Sequence, residues 1–246
     1  MDNQNSNRPS CLITGGSSGI GLATAKLFAS EGYDVSICGR DLAKLVAARE
    51  QITAAAENAS QIVECMATQV DLSDVDQARA YVSETMREFG GVDVLVNNAS
   101  IAPLATFETI SPDVFEAMIN VSIRSLFYMT QMVWAEMREK GSGVVVNISS
   151  LSAVDPFPGL GLYGACKAWM DMITHSLAAE GKDLGLRICS IRPGAVETPL
   201  LRSLFPDFPE DQCVQPEDIA NAVWGCVDNP GNYPSGGVFP VTKQPL

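Results

Sequence analysis

The feature that most constrains the fold of this chain is a glycine-rich turn between a short apolar run and a helical pattern. The run begins at Ser10 and continues Cys-Leu-Ile-Thr; residues 15–21 then read Gly-Gly-Ser-Ser-Gly-Ile-Gly, and helical periodicity follows over 22–30. Such a turn can direct backbone N–H groups and the positive end of a helix at a phosphate. The spacing differs from the Gly-x-Gly-x-x-Gly fingerprint, so a purely structural turn is the alternative. We favour the phosphate site.

Strand and helix patterns then alternate along the chain. Strands are predicted at 10–14, 34–40, 61–70, 92–96, 143–148, 186–191 and near 237–240, and helices at 22–30, 41–57, 74–89, 111–140 and 163–180. Ser73 is the expected N-cap of the third helix, and Ser111 followed by proline that of the fourth. Successive strand–helix–strand units give parallel strands with right-handed crossovers, so the expected fold class is α/β.

The length and composition of the chain indicate a single domain and argue against nucleic acid or anionic membranes as partners. With 246 residues, 46% of them hydrophobic, we expect one domain over 9–246 after a flexible tail at 1–8. A net charge of −13 argues against nucleic acid and anionic membranes, because both need clustered positive charge on the protein. The seven scattered cysteines fit neither a metal site nor a disulfide framework, so we expect no metal and reduced thiols in the cytoplasm. The polar first residues predict no secretory signal.

The end of the second strand carries information about a cofactor. In dinucleotide sites an acidic residue at this corner binds the ribose hydroxyls, whereas an arginine accommodates a 2′-phosphate. This chain has no acidic residue at that position, and Arg40 follows Gly39 instead. The alternative is that Arg40 is a solvated loop residue, and the negative charge of the neighbouring Asp41 disfavours a bound phosphate. The sequence favours NADP(H), with NAD(H) as the second candidate.

Tyr163 and Lys167 lie four residues apart and would share one helix face. A fixed positive charge nearby favours the phenolate and lowers the pKa of a tyrosine from about 10. A tyrosine tuned in this way can exchange protons near neutral pH. By itself the spacing also fits an ordinary pair on a helix surface.

Two further segments suggest partners. The predicted helix 111–140 carries Asn120 in its interior and has apolar residues on more than one face, which indicates either deep burial or a subunit contact. We therefore expect a homodimer through helices 111–140 and 163–180. Residues 199–215 are rich in proline, leucine and phenylalanine and predict a mobile substrate flap.

Six motifs in this order resemble the short-chain dehydrogenase/reductase family, in particular its NADP-dependent 3-oxoacyl reductase members. They are Thr14-Gly15-x-x-x-Gly19-Ile20-Gly21, Asn97-Asn98-Ala99, Asn120, Ser149-Ser150, Tyr163-x-x-x-Lys167 and Pro193-Gly194. The resemblance covers residues 9–240. It implies one Rossmann-like doubly wound parallel sheet of about seven strands with helices on both faces. It also implies an enzyme that transfers hydride between NADP(H) and a small carbonyl or secondary alcohol.

The resemblance implies roles for individual residues. Tyr163 would be the general acid/base, Lys167 its ammonium partner and ribose ligand, Ser150 the hydroxyl that orients the substrate oxygen, and Asn120 the anchor of a water next to Lys167. For the cofactor, Gly15, Ser17, Ser18, Gly19, Ile20 and Gly21 would line the pyrophosphate, Arg40 the 2′-phosphate, Asp71 and Leu72 the adenine, and Asn98, Val196 and Thr198 the nicotinamide. Leu151, Ser152, Val154, Phe157 and the flap residues 199–208 would form an apolar substrate pocket.

Other functions compete with this one. Residues 15–19 also match the Gly-x-Ser-x-Gly elbow of hydrolases, with Ser17 as nucleophile and His175 as its base. A dinucleotide-binding regulator could use the same fold without catalysis. The C-terminal residues lack the family's usual Asp-Gly-Gly, which leaves a tetramer open, and Cys166 near the site is expected to be an inert buried thiol. The sequence leaves the substrate and the direction of the reaction open.

Overall fold

A computed structural model of the protein describes residues 8–243. Its strands are β1 (Ser10–Thr14), β2 (Asp34–Gly39), β3 (Cys65–Gln69), β4 (Val94–Asn97), β5 (Gly143–Ile148), β6 (Leu186–Pro193) and β7 (Val238–Val241). Its α-helices are α1 (Gly19–Ser30), α2 (Leu42–Asn58), α3 (Val75–Phe89), α4 (Pro112–Ile119), α5 (Ser125–Lys140), α6 (Gly161–Gly181), α7 (Pro199–Leu204) and α8 (Pro216–Asp228). No helix in 8–243 is both long and apolar enough to cross a membrane.

The strands of the described residues form one parallel sheet in the order β3-β2-β1-β4-β5-β6-β7. Leu12 of β1 pairs with Ser36 of β2 on one side and with Leu95 of β4 on the other. The strand order therefore reverses between β1 and β4, and open α/β sheets bind ligands in the crevice beyond the carboxyl ends of the strands at such a point. The predicted fold class, a doubly wound parallel sheet with helices on both faces, is confirmed.

Apolar side chains cover both faces of the sheet. In β1, Cys11 and Ile13 pack in the core shared with α1, α2 and α8, whereas Leu12 packs in the core shared with α3, α5 and α6. Because both faces are buried, the central strands must be apolar at successive positions rather than at alternate ones. This explains the near-continuous apolar runs in the sequence.

Most helix starts follow the capping signals in the sequence, with two differences. The Ser111 hydroxyl accepts from the Val114 N–H, as predicted. The predicted cap at Ser73 is wrong, because the carboxylate of Asp74 caps α3. The Ser73 hydroxyl instead donates to Asp71 Oδ1 at 2.7 Å. The helix expected to open at Tyr163 begins two residues earlier.

The predicted ends of the chain lie largely outside the described residues. Of the proposed tail 1–8, only Arg8 is described, and its Nε donates to Asp34 Oδ1 of β2 at 2.8 Å. That residue is therefore attached to the sheet rather than part of a loose tail. The last three residues, 244–246, which belong to the atypical C-terminus, lie outside the described residues.

The helix predicted over 111–140 contains an irregular turn. Residues Asn120–Arg124 form one π-helical turn between α4 and α5, so the direction of the side chains shifts along the helix. Single π turns are frequent at functional sites. Asn120, which the sequence placed in a regular helix, is the first residue of this turn.

The segment 199–215, predicted as a mobile flap, contains ordered elements. Thr198 caps the short helix α7 by accepting from the Leu201 N–H, with Pro199 at the first helical position. Val214 forms a parallel bridge with Val196 and is buried. The sequence did not predict this helix or the bridge at the end of the segment, and the role of the segment as a substrate flap stays a prediction.

Candidate active site

A cleft of about 570 Å³ lies at the switch point, beyond the carboxyl ends of β1, β4, β5 and β6. Of the residues predicted for the site, those that line it are Gly15, Ser17, Ser18, Gly19, Ile20, Arg40, Asp71, Leu72, Asn98, Ser150, Tyr163, Lys167, Val196 and Thr198. Gly21 and Asn120 do not line it. Most of the predicted site thus comes together, although its residues span 184 positions of the sequence from 15 to 198.

The glycine turn is shaped for close approach by a ligand's phosphates. Gly15 and Gly19 have φ values of +67° and +53°, which side chains disfavour. A Cβ on Gly21 would lie 2.4 Å from the carbonyl oxygen of Gly15, so this position holds the turn together rather than facing the cleft. The hydroxyl of Ser18, at the N-cap of α1, makes no capping hydrogen bond. The first-turn N–H groups of α1 therefore lack a side-chain cap and suit an anion.

Thr14 and Asn98 brace this turn against the next strand. The Thr14 hydroxyl accepts from the N–H groups of Asn98 and Ala99, each at 3.0 Å. Asn98 Nδ2 donates to the carbonyls of Thr14 at 2.8 Å and of Gly15 at 3.1 Å. The prediction gave Asn98 a cofactor role only and gave Thr14 none. Their bracing role depends on the adjacency of β1 and β4, which the sequence does not display.

At the end of β2, Arg40 lines the cleft with an exposed side chain. A Cβ on Gly39 would lie 3.3 Å from the hydroxyl of Ser17, so the turn packs closely on this corner. Asp41, which weighed against a phosphate, caps α2 by accepting from the Lys44 N–H at 3.1 Å. On the other side, hydrogen bonds from Ser73 lower the pKa of Asp71, and the charge of Arg40 contributes to the same shift.

These features fit a dinucleotide. The turn offers glycine backbone and uncapped helical N–H groups to a diphosphate, and Arg40 with Ser17 offers donors to a further phosphate. Lys167, which lines the same cleft, offers a buried ammonium. Each of these groups is a hydrogen-bond donor, which matches the negatively charged and hydroxyl-rich parts of a nicotinamide dinucleotide.

Ser150 and Tyr163 meet on the floor of the cleft. Ser150 follows β5 and caps a short 3₁₀ turn, with its hydroxyl accepting from the Ser152 N–H at 3.2 Å. Tyr163 lies in the first turn of α6, and the Ser150 hydroxyl is close enough to its phenol to lower the pKa of the phenol. The two hydroxyls therefore lie near each other, whereas the Ser149 hydroxyl donates to the Lys167 carbonyl at 3.2 Å.

Lys167 is almost fully buried behind Tyr163. Its Nζ donates to the carbonyl of Ile148 at 2.7 Å and lies 5.5 Å from the centre of the Tyr163 ring. Burial lowers the pKa of Lys167 from 10.5 to about 8, against smaller opposing contributions from Cys166 and Asp171. An ammonium donates up to three hydrogen bonds, and one carbonyl uses only one of them.

The structure corrects the expected tuning of Tyr163. Burial raises the pKa of this phenol above 10, and the hydrogen bond from Ser150 only partly offsets the effect. The predicted lowering by Lys167 is wrong for the protein alone. The reason is geometric, because the ammonium lies beside the ring and donates to Ile148, so desolvation dominates at the phenol oxygen. At neutral pH Tyr163 carries its proton.

Asn120 lies outside the cleft lining. Its Oδ1 accepts from the Arg124 guanidinium, one turn further along the helix, at 2.5 Å. The structure therefore does not place the Asn120 side chain with Ser150, Tyr163 and Lys167. The irregular turn offers a reason, since it changes which helical positions face the sheet.

A charged group that the sequence reasoning missed connects α6 to β6. Asp171, one turn after Lys167, accepts from Arg192 Nη2 at 2.8 Å and Nε at 3.1 Å, and from the Ser190 hydroxyl at 2.8 Å. The pair is mostly buried, and Arg192 directly precedes Pro193 at the cleft. The spacing of Lys167 and Asp171 indicates a common helix face, but the partner 21 residues away could not be read from it.

The flap is held by one arginine. Arg202 of α7 forms two hydrogen bonds with the carboxylate of Glu197 and donates to the carbonyls of Pro206 at 3.1 Å and Phe208 at 2.6 Å. Across the cleft mouth, the ring of Phe205 contacts that of Phe157 edge-on, with centroids 5.2 Å apart. The segment 199–215 therefore borders the cleft through apolar side chains.

The hydrolase alternative is not supported, because the histidine proposed as its base lies away from Ser17. His175 lies on the exposed side of α6 and is absent from the cleft lining, so Ser17 has no histidine beside it in the cleft. Cys166 is buried and its pKa is raised by that burial, which makes it a poor nucleophile, as predicted.

A glycine turn at the switch point, followed by a serine, a tyrosine and a buried lysine, defines an oxidoreductase of the dinucleotide-binding α/β class. Residues 10–208 match the family model described as short chain dehydrogenase. The chain therefore belongs to the short-chain dehydrogenase/reductase family.

Similar proteins cover nearly the whole chain. An acetoacetyl-CoA reductase of Allochromatium vinosum is 33% identical, over 94% of this chain and 95% of its own length. A 3-oxoacyl-[acyl-carrier-protein] reductase of Thermotoga maritima is 32% identical, over 93% and 94% respectively. The crystal structure of 3-ketoacyl-(acyl-carrier-protein) reductase from Brucella melitensis, complexed with NADH, has a TM-score of 0.85 at 30% identity and covers 95% of this chain and 96% of that one.

Proposed function

We propose that this protein transfers hydride between NADP(H) and a carbonyl or secondary alcohol, with Tyr163 as general acid/base. The observation that carries the proposal is that Ser150, Tyr163 and the buried Lys167 line the same cleft, with the Ser150 hydroxyl close enough to the phenol to lower its pKa. Two hydroxyls that converge on one point can hold a carbonyl oxygen and stabilise the negative charge that develops on it.

Each residue of the site has its own role in the proposed reaction. The bound nicotinamide supplies or accepts the hydride. Ser150 donates a hydrogen bond to the substrate oxygen and orients it, and Tyr163 transfers the proton. Tyr163 carries its proton at neutral pH, so in the direction of carbonyl reduction it can donate that proton to the substrate oxygen. Lys167 has unused donors for the ribose hydroxyls, and we assign to Asn120 a water-binding role on family resemblance alone.

The preference for NADP(H) rests on the corner at Arg40. The guanidinium is exposed at the cleft, Ser17 packs beside Gly39, and Asp41 is occupied with capping α2. A guanidinium suits a phosphate because it presents paired donors. Arg40→Asp should weaken NADPH binding at least about tenfold and strengthen NADH binding. Native affinities for NADH and NADPH that are equal by calorimetric titration would reject this assignment.

The catalytic proposal is tested with Tyr163→Phe. Turnover of NADPH with a panel of ketones should fall by about 10² to 10⁴, because proton transfer is lost while the ring stays. NADPH affinity should stay within about threefold. Tyr128→Phe is the matched control, since Tyr128 stacks with Arg79 on α3 and lies outside the cleft. Wild-type turnover by Tyr163→Phe would refute the mechanism. NADPH binding without turnover of any ketone would instead support the dinucleotide-binding regulator.

We further infer that the protein forms a homodimer through the helical segment 111–140 and α6. Large apolar side chains on these elements are exposed in the single chain: Phe115 by 44%, Phe127 by 45% and Met172 by 63%. Such exposure on neighbouring helices is typical of an interface. Light scattering should give twice the 26.2 kDa of one chain, and a monomer at micromolar concentration would contradict the inference.

A further inference from the structure

The substrate end of the cleft differs in charge from the cofactor end. The walls of the substrate end come from residues 100–116, 150–165 and 199–215. The side chains that these segments contribute to the cleft are mostly apolar, among them Leu151, Phe157, Leu160, Leu204, Phe205 and Phe208. Lys167 lies buried at the floor, so it is unavailable at the mouth. Apart from it, the one charged residue that lines this end, within the described chain, is Asp155, whose side chain is exposed.

The surrounding segments are acidic as well. Residues 100–116, 150–165 and 199–215 together carry seven acidic side chains and one basic one, Arg202. That arginine is already bound to Glu197 and to two backbone carbonyls, and it lies only 26% exposed. Within these three segments, no arginine or lysine is therefore left for a further anion.

This charge distribution conflicts with a substrate that carries phosphates. Coenzyme A thioesters bear a diphosphate and a further phosphate, and thioesters of carrier proteins bear a phosphodiester on an acidic protein. Recognition of such groups relies on arginine or lysine donors at the mouth of the site. Here a phosphate would approach the exposed carboxylate of Asp155, and like charges repel over about one Debye length, roughly 8 Å at physiological salt. Repulsion would slow binding instead of steering it.

We propose that the substrate is an electroneutral, apolar ketone or secondary alcohol, and that thioesters of phosphate-bearing carriers are poor substrates. This rests on the proposed oxidoreductase function and narrows its substrate class. It separates this chain from its similar proteins whose names refer to acetoacetyl-CoA or acyl carrier protein, although about a third of the residues are identical. The apolar walls select the substrate body, and the acidic mouth excludes the anionic carrier.

The test compares one acyl group on two carriers, acetoacetyl-CoA and the electroneutral acetoacetyl N-acetylcysteamine thioester, together with a cyclic apolar ketone, all with NADPH. The electroneutral thioester or the ketone should exceed the CoA thioester at least about tenfold in kcat/KM. Added salt should raise kcat/KM for the CoA thioester and leave the ratio between the two neutral compounds constant, because salt screens only the repulsion.

A charge-reversal variant at the mouth of the cleft tests the proposed repulsion of phosphates directly. Asp155→Lys should raise the ratio of CoA-thioester to neutral-thioester kcat/KM at least about threefold. Glu57→Lys changes the net charge equally on the exposed face of α2 and should leave that ratio unchanged. A CoA thioester preferred over the neutral one, with kcat/KM falling as salt rises, would overturn the inference while the proposed function stands. No NADPH oxidation with any of the three compounds would defeat both.

Discussion

The ion pair between Asp171 and Arg192 allows a quantitative prediction about stability. The side chains of Asp171 and Arg192 are 8% and 18% exposed, and the Asp171 carboxylate also accepts a hydrogen bond from the Ser190 hydroxyl. Arg192→Met would leave a buried carboxylate with one neutral donor. Removing one member of a buried pair costs about 3–5 kcal/mol. For a domain of this size that corresponds to a fall in Tm of about 6–20 °C.

A double-mutant cycle separates the pair from the packing around it. Asp171→Leu combined with Arg192→Met removes both charges, so the double variant should be more stable than Arg192→Met alone, with a coupling of about 1–3 kcal/mol. Urea denaturation at one protein concentration measures the free energies of unfolding. Arg87→Met is the control, since Arg87 is 67% exposed beside Glu84, and its loss should change the free energy of unfolding far less.

The outcome that refutes this reasoning is specific. If Arg192→Met costs no more than Arg87→Met, the carboxylate of Asp171 is solvated or satisfied without its partner. If the double variant loses the sum of the single losses, the two residues act through packing and not through their charges. Either result would remove the buried ion pair as the connection between α6 and β6.

Two further predictions address the cofactor turn and the buried lysine. Gly21→Ala would place a methyl group 2.4 Å from the carbonyl of Gly15 and 2.5 Å from Asn98 Nδ2, so NADPH affinity by fluorescence titration should fall at least about tenfold, whereas Gly231→Ala, with only a 3.7 Å contact, should bind normally. Unchanged affinity in Gly21→Ala would show that the turn can shift freely. Lys167 has a folded pKa of about 8 against 10.5, so its burial penalty is full below about pH 8 and disappears by about pH 10.5. The stability of the wild type relative to Lys167→Met should therefore rise by up to about 3 kcal/mol across that window in urea denaturation, and a constant difference would contradict the shift.

Much of the fold could be predicted because its signals are local. The glycine turn and its flanking patterns predicted β1 at its observed bounds, Ser10–Thr14, and β5 likewise at Gly143–Ile148. The helix start after Ser111 followed from a capping serine and a proline. Errors arose where two local signals compete, as at Ser73 and Asp74, because either side chain can cap a helix and the geometry of the preceding turn decides.

The candidate site was predicted to a similar extent, because its residues follow strands whose carboxyl ends meet at one edge. Ser150, Tyr163 and Lys167 line the cleft as expected. Asn120 does not, because a π turn cannot be recognised from periodicity over so few residues. The partnership of Asp171 with Arg192 also escaped prediction, since it joins two elements that the sequence does not show to be adjacent.

By itself, the sequence determined the α/β class, the glycine-rich turn after the first strand and the residue types of the proposed site, since each depends on neighbours within one turn or one strand. Only the tertiary structure decided the direction of the pKa shifts in the site. The pKa of Tyr163 is raised and that of Lys167 lowered because side chains from distant segments exclude water around them. Desolvation sums over all surrounding atoms, and a spacing of four residues contains no information about that sum.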